Sequence, residues 1–182
     1  QVIKSYKEGR KPIRKNYEVE GMTKQSENEN KFWQQEILAE MLNEMPTIQF
    51  MFAGTEADDV IAFLAKSPKY EGWQKVIISS DKDFIQLQAD GDVKQWSPMF
   101  NKMIIEDDPR RYLFDHILKG DSGDGVPNAN SHDDVFVSSA RQTPMTQKAI
   151  NKYWDNRDDL EAIMKPNVYR NFMRNAQMID LE

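Results

Sequence analysis

Seven carboxylates in three short segments are the residues of this 182-residue chain best placed to do chemistry together. Glu56, Asp58 and Asp59 fall in GTEADDVIAFLA, Asp81 and Asp83 in KVIISSDKDF, and Asp121 and Asp124 in KGDSGDGVPN. Each group alone has an ordinary reading. An Asp before a helix caps it, first-turn acids suit the helix dipole, and an Asp-Ser-Gly stretch makes a turn. Glu56, Asp58 and Asp59 crowd into four positions straight after an expected strand, which is more than capping requires. The Asp121 segment fails as a calcium loop of EF-hand type, because the later ligand positions and the closing Glu are absent. If the three segments converge, their charges repel strongly unless divalent cations join them. With no cysteine and two histidines, oxygen is the ligand on offer, which suits magnesium or manganese. Two such ions, roughly 3.5–4 Å apart, can activate an attacking water and stabilise the leaving oxygen of a phosphodiester.

Phosphate chemistry also needs cationic side chains. Residues 1–24 carry Lys4, Lys7, Arg10, Lys11, Arg14, Lys15 and Lys24 against Glu8, Glu18 and Glu20, in a chain of formal charge −6. Lys7 and Arg10 share a face if the segment is helical, with Tyr6 beside them; a solvated helix has the same pattern. Acids for metal and a Lys/Arg face for phosphate is the division of labour a nuclease needs.

The elements that must position these groups follow from periodicity and breakers. Pro12 ends a first helix, and residues 18–30 read as a loop. Residues 31–45 form the clearest helix, with Trp33, Ile37, Leu38, Met41, Leu42 and Met45 on one core-packing face. Thr47–Phe52 reads as a strand. Thr55 caps the next helix, whose Val60, Ile61 and Leu64 face the core. Val76–Ile78 is a short apolar run, expected as a strand buried on both faces. A short helix at 84–88 and strands at 93–96 and 103–105 follow, and then a helix from Pro109 to Leu118. Residues 128–144 are irregular, and helices are expected at 145–154, 158–164 and 167–179, the last carrying Val168, Phe172, Met173 and Ile179. The acids then sit beyond the carboxyl ends of strands, where α/β sheets place ligands. The fold class is α/β, a mostly parallel sheet flanked by helices. Charged residues at 30% and hydrophobic ones at 39% suit a moderate core with a wet surface and no membrane span, hence a cytoplasmic protein.

Four motifs carry a resemblance to the flap endonuclease family of 5′ nucleases. GTEADDVIA resembles its Glu-Ala-Asp-Asp motif, ISSDKDF its Ser-x-Asp-x-Asp-Phe motif, and LKGDSGDGVP its Gly-Asp-x-x-Asp-Asn-Ile/Val-Pro motif. YKEGR at 6–10 resembles the Tyr-Lys-x-x-Arg segment of the arch over the active site. KVIISSDKDFIQL, VKQWSPM and ILKGD are similar to the branch of T-even-type bacteriophages. The resemblance covers about residues 6–181. It implies a PIN-like 5′ nuclease core over 1–119, with 1–25 as the basic arch segment. A helical duplex-DNA-binding region at 120–182, containing a helix–three-turn–helix element, would follow.

The resemblance further implies roles. Glu56, Asp58 and Asp81, with Asp59 nearby, would serve a first metal ion; Asp83 and Asp121, with Asp124 close by, a second. Lys7 and Arg10 would meet the scissile phosphate. Tyr6 would stack on a base or pack locally, and Lys4, Lys11, Arg141 and Lys148 would touch nucleic acid. The cofactors would be two Mg2+ ions, with Mn2+ as substitute. The substrates would be 5′ ends or flaps of DNA and RNA/DNA duplexes, and the task removal of RNA primers during phage DNA replication in a bacterial cytoplasm. A single-stranded-DNA-binding protein and a sliding clamp are expected partners, no membrane is, and a monomer is the expected state. Two departures stand out. The family's two upstream metal-site aspartates and first strands are not in this chain, and SARQTPMTQKAI replaces its Gly-Ile-Gly-x-Lys hairpin. The chain is therefore read as a piece of a longer protein, with low activity alone and apolar sheet surface left bare. The alternatives are a PIN-type RNA nuclease and a fragment that binds nucleic acid without cutting it.

Overall fold

The computed structural model describes residues 3, 6 and 24–181. The expected arch residues Lys4, Lys7, Arg10 and Lys11 lie outside them. The chain divides into two compact units, Gln1–Gly9 with Ala57–Glu182, and Arg10–Glu56.

Within Arg10–Glu56, helix α1 spans Lys24–Asn43, so it begins inside the stretch expected as a loop. Its apolar residues do not form a core. Trp33, Leu38, Met41 and Met45 are each more than half exposed, and Ile37 and Leu42 are only half-buried. The expected strand at 47–52 is irregular backbone. The Thr47 hydroxyl donates back to the Leu42 carbonyl at 2.6 Å, and Gln49 donates to the Ala39 carbonyl and to Asn43. These bonds fold the segment onto its own helix end and leave its N–H groups out of a ladder. Phe50 and Phe52 stack at 6.4 Å between ring centroids and remain exposed.

The other unit is built on a three-stranded sheet in the order β1 (Lys75–Ile78), β2 (Val93–Ser97) and β3 (Lys102–Ile104). β1 pairs parallel with β2 in the register Ile77 to Gln95, and β2 pairs antiparallel with β3. The sheet is thus mixed. Residues 79–92 make the crossover that a parallel pair requires, and its centre is a long 3₁₀ helix, Lys82–Asp90. One sheet face is covered: Ile77 and Val93 pack with Phe84 and Leu87 of the 3₁₀ helix and with Ala62 and Ala65 of helix α2 (Ala57–Lys66). On the other face Val76 is 53% and Ile78 71% exposed, so β1 is buried on one side only, against the sequence expectation.

Helix α3 (Pro109–Lys119) starts at Pro109, with the Asp108 carboxylate accepting from the Arg111 N–H, a sharply defined N-terminus. Successive turns over 121–138 precede α4 (Gln147–Asp155), α5 (Leu160–Ile163) and α6 (Pro166–Ile179). The described backbone of this region does not establish a helix–three-turn–helix element. A second core joins Phe114, Ile117 and Leu118 of α3 to Ile150, Val168, Phe172 and Ile179, and so runs across position 119/120; buried Ile3 and half-buried Tyr6 pack with it. Met173, expected on the apolar face of α6, is 44% exposed. Asn171, Arg174 and Asn175 are buried instead, and their side chains donate to the carbonyls of Pro127, within the third acid segment, and of Ala129, just after it. Among the described residues no helix is long and apolar enough to cross a membrane.

Candidate metal centre

The turn leaving β1 carries the central acids. The Ser79 N–H extends the ladder to the Trp96 carbonyl at 3.0 Å, and the Ser79 hydroxyl accepts from the Asp81 N–H at 3.1 Å. Asp81 in turn caps the 3₁₀ helix, accepting from the Asp83 N–H at 3.1 Å. The capping role foreseen for this pair is therefore real, and it fixes both carboxylates at one helix start. Gln95 holds the turn from beneath. It is fully buried on β2, and its amide donates to the Ser79 carbonyl at 3.0 Å and the Asp81 carbonyl at 2.6 Å. Ser80 and Ser97 share a hydroxyl hydrogen bond of 2.7 Å beside it. Sequence reasoning missed Gln95, although a polar residue between inward Val93 and Ser97 in a period-two strand is the signal for a buried network. Gln95→Leu keeps the volume and removes both donors. We expect it to cost about 1–3 kcal/mol in denaturant unfolding and to weaken Mg2+ binding; unchanged Mg2+ affinity would separate Gln95 from the acid turn.

The third acid segment closes on itself. The Asp121 carboxylate accepts from the Gly123 and Asp124 N–H groups at 2.7 and 3.2 Å, and the Val126 N–H donates to the Asp121 carbonyl at 2.6 Å. The loop is held from behind by α6. Asn175 and Arg174 both donate to the Pro127 carbonyl, at 2.9 and 3.0 Å, and Arg174 also pairs with Asp133.

These elements converge. Burial first, and then the charges of Asp81, Asp121, Asp124 and Asp58, raise the Asp83 carboxyl from 3.8 to about 6. Asp58 stands half-buried in the first turn of α2, whereas Asp59 beside it is exposed. Glu56 is the last residue of the other unit. Carboxylates from α2, the β1 turn and the Asp121 loop therefore repel one another around Asp83, which is the condition that a divalent cation relieves. The donor set fits a hard cation.

One further side chain reaches this point. His116, in the last turn of α3, brings its Nδ1 to 3.7 Å from an Asp83 oxygen, and Asp83, His116 and Asp121 can each offer an atom within 4.8 Å of the others. Burial lowers the His116 imidazole below its ordinary range, against the pull of Asp121 and Asp81. It is thus neutral at pH 7, and its approach to Asp83 is no salt bridge. Tyr112, one turn earlier, has its phenol raised by burial and then by Asp83. A hollow of about 400 Å³ lined by Arg111, Tyr112, His116 and Lys119, among others, adjoins this side.

Of the expected nucleic-acid residues, Tyr6 shows the local packing, half-buried on the helical core. Arg141 lies exposed in the segment before α4, and Lys148 lies exposed in its first turn.

The class set by this mixed sheet with convergent acids is matched by known proteins. A family profile described as the 5′-3′ exonuclease, N-terminal resolvase-like domain, matches residues 1–112. The ribonuclease H of Enterobacteria phage T4 is 31% identical over 151 residues, covering 80% of this chain and 50% of that protein. Flap endonuclease Xni of Shewanella sp. (strain MR-4) is 34% identical over 137 residues, 70% of this chain and 46% of that protein. A crystal structure of the bacteriophage T5 flap endonuclease, in a complex with DNA and metal ions, superposes with a TM-score of 0.65 at 19% identity, over 99% of this chain and 68% of that one. The chain belongs to the 5′-3′ exonuclease family. It spans about half the length of the curated relatives it matches.

Proposed function

We propose that this chain is the catalytic part of a magnesium-dependent 5′-3′ nuclease that hydrolyses phosphodiesters at 5′ ends or flaps of DNA and RNA/DNA duplexes. The observation that carries this reading is the convergence on Asp83 of acids from separate elements. Bound there, two Mg2+ ions would activate the attacking water and neutralise charge on the leaving oxygen. Asp58 and Asp81, with Glu56 and Asp59, are assigned to one ion, and Asp83 and Asp121, with Asp124, to the other. Gln95 and the Asp121 turn hold these groups in place before substrate arrives, so little reorganisation is needed at the moment of reaction. Lys7 and Arg10 bind the scissile phosphate, Lys4 and Lys11 extend that basic face, and Arg141 and Lys148 meet the duplex backbone. The similarity to a phage ribonuclease H supports primer removal in phage replication as the task.

The test is a labelled 5′-flapped duplex, with DNA or RNA in the flap. Slow Mg2+-dependent release of the flap is expected from this chain alone, with duplex binding retained when EDTA stops release. In the full-length enzyme, Lys7→Ala should lower the cleavage rate by about a hundredfold or more while binding changes little, since the phosphate's charge is stabilised most in the transition state. Binding with no cation-dependent cleavage assigns the chain to docking alone.

A further inference from the structure

We propose that His116 supplies an imidazole nitrogen to the divalent cation held by Asp83 and Asp121. The site would then take cobalt- or zinc-like ions more strongly than an all-oxygen site does. The inference rests on the metal-centre reading above and assigns one more ligand within it.

The separation is the first ground. At 3.7 Å, the Nδ1 and the Asp83 oxygen are too far apart for a hydrogen bond. Two ligands of one cation, each bonded at about 2.1–2.2 Å, stand roughly 3–4.4 Å apart. The mutual limit of 4.8 Å for Asp83, His116 and Asp121 needs only a small side-chain rotation to meet that range. The second ground is the availability of the imidazole nitrogens, since the ring meets Tyr112 only edge-on, with 6.1 Å between centroids. Its side chain is 19% exposed, and among the described residues it makes no hydrogen bond. A ring nitrogen that solvent still reaches, and that no described residue hydrogen-bonds, is available to a cation as a ligand. The third ground is the backbone. The His116 carbonyl accepts from the Gly120 N–H at 2.8 Å, so the residue that presents the imidazole also anchors the turn delivering Asp121. Imidazole suits the later first-row cations, cobalt, nickel and zinc among them, whereas magnesium keeps to oxygen and manganese binds such mixed sites more weakly than cobalt.

Mn2+ is titrated into the 182-residue chain and the bound ion is read by electron spin-echo modulation. We expect modulation from a directly ligated nitrogen, shifted when histidine is supplied as 15N. His116→Gln should abolish it and weaken Mn2+ or Co2+ binding by about 10–100-fold, while Mg2+ binding moves by less than about threefold. His132→Gln should leave it intact, because His132 is exposed and paired with Asp134. Mn2+ bound without nitrogen modulation overturns the assignment and leaves the carboxylate centre standing. No bound Mn2+ at all overturns both. The isotope arm needs no variant, so a His116→Gln chain that fails to fold does not block the result.

Discussion

Asp83→Asn should make the cation-free protein more stable at pH 7.5 and less responsive to magnesium. The Asp83 carboxyl is raised from 3.8 to about 6, chiefly by burial and then by Asp81 and Asp121, so the folded chain holds this proton more tightly than the unfolded chain does. Stability then falls as pH rises through that interval, and the full cost of the charge is present above it. A shift of about two units corresponds to at most about 3 kcal/mol. The side chain is 33% exposed, and solvent screening reduces this to roughly 1–2 kcal/mol. Asn removes the charge and keeps the backbone N–H that Asp81 accepts. The variant should melt about 2–8 °C above the parent in EDTA at pH 7.5, and the gain should vanish near pH 4. Added Mg2+ should raise the parent's melting temperature clearly more than the variant's, which keeps only the Asp58 and Asp81 group. A variant less stable than the parent in EDTA would mean that Asp83 is not held against its neighbours.

What the sequence made legible follows from the kind of signal each element carries. The motif acids, β1 and the ends of α3 were readable because a strand-to-turn switch and an Asp-Pro start are written locally. The strand expected at 47–52 was not, since its alternation was weak and the Thr47 and Gln49 side chains compete for the backbone. The face of α1 has helical spacing and yet stays exposed, because periodicity shows that a stripe exists and not what covers it. Residues 76–78 read as doubly buried for the same reason. His116 and Gln95 were missed by a different route. Both lie far along the chain from Asp83 and Asp81, and only the crossover and α3 bring them together. A lone histidine on a helix with buried Ile117 and Leu118 has no sequence mark that separates a ligand from packing. The same holds for Asn171, Arg174 and Asn175, whose partners are backbone carbonyls without any residue signature.

Gly120→Ala should be the most damaging glycine-to-alanine change among the described residues. Gly120 has φ +66° and ψ −179°, a region that only glycine adopts without strain. A Cβ there would lie 2.5 Å from the Val126 carbonyl oxygen and 2.6 Å from Pro127 backbone atoms. That wall is backbone, and it is tied down: Asn175 and Arg174 hold the Pro127 carbonyl, and the Ala129 N–H donates to Leu118 at 2.9 Å. Relief therefore requires moving Gly120 itself, and Asp121 follows it directly. A loss of roughly 3–5 kcal/mol is expected, together with the loss of magnesium-induced stabilisation even in chains that remain folded. Gly123→Ala is the control within the same loop. Its Cβ would meet only the Asp121 carboxylate oxygen, at 3.1 Å, and a side chain can give way. That variant should unfold within about 1 kcal/mol of the parent. Chemical denaturation of the two variants side by side decides the matter: equal losses would show that the turn around Asp121 is not pinned by α6.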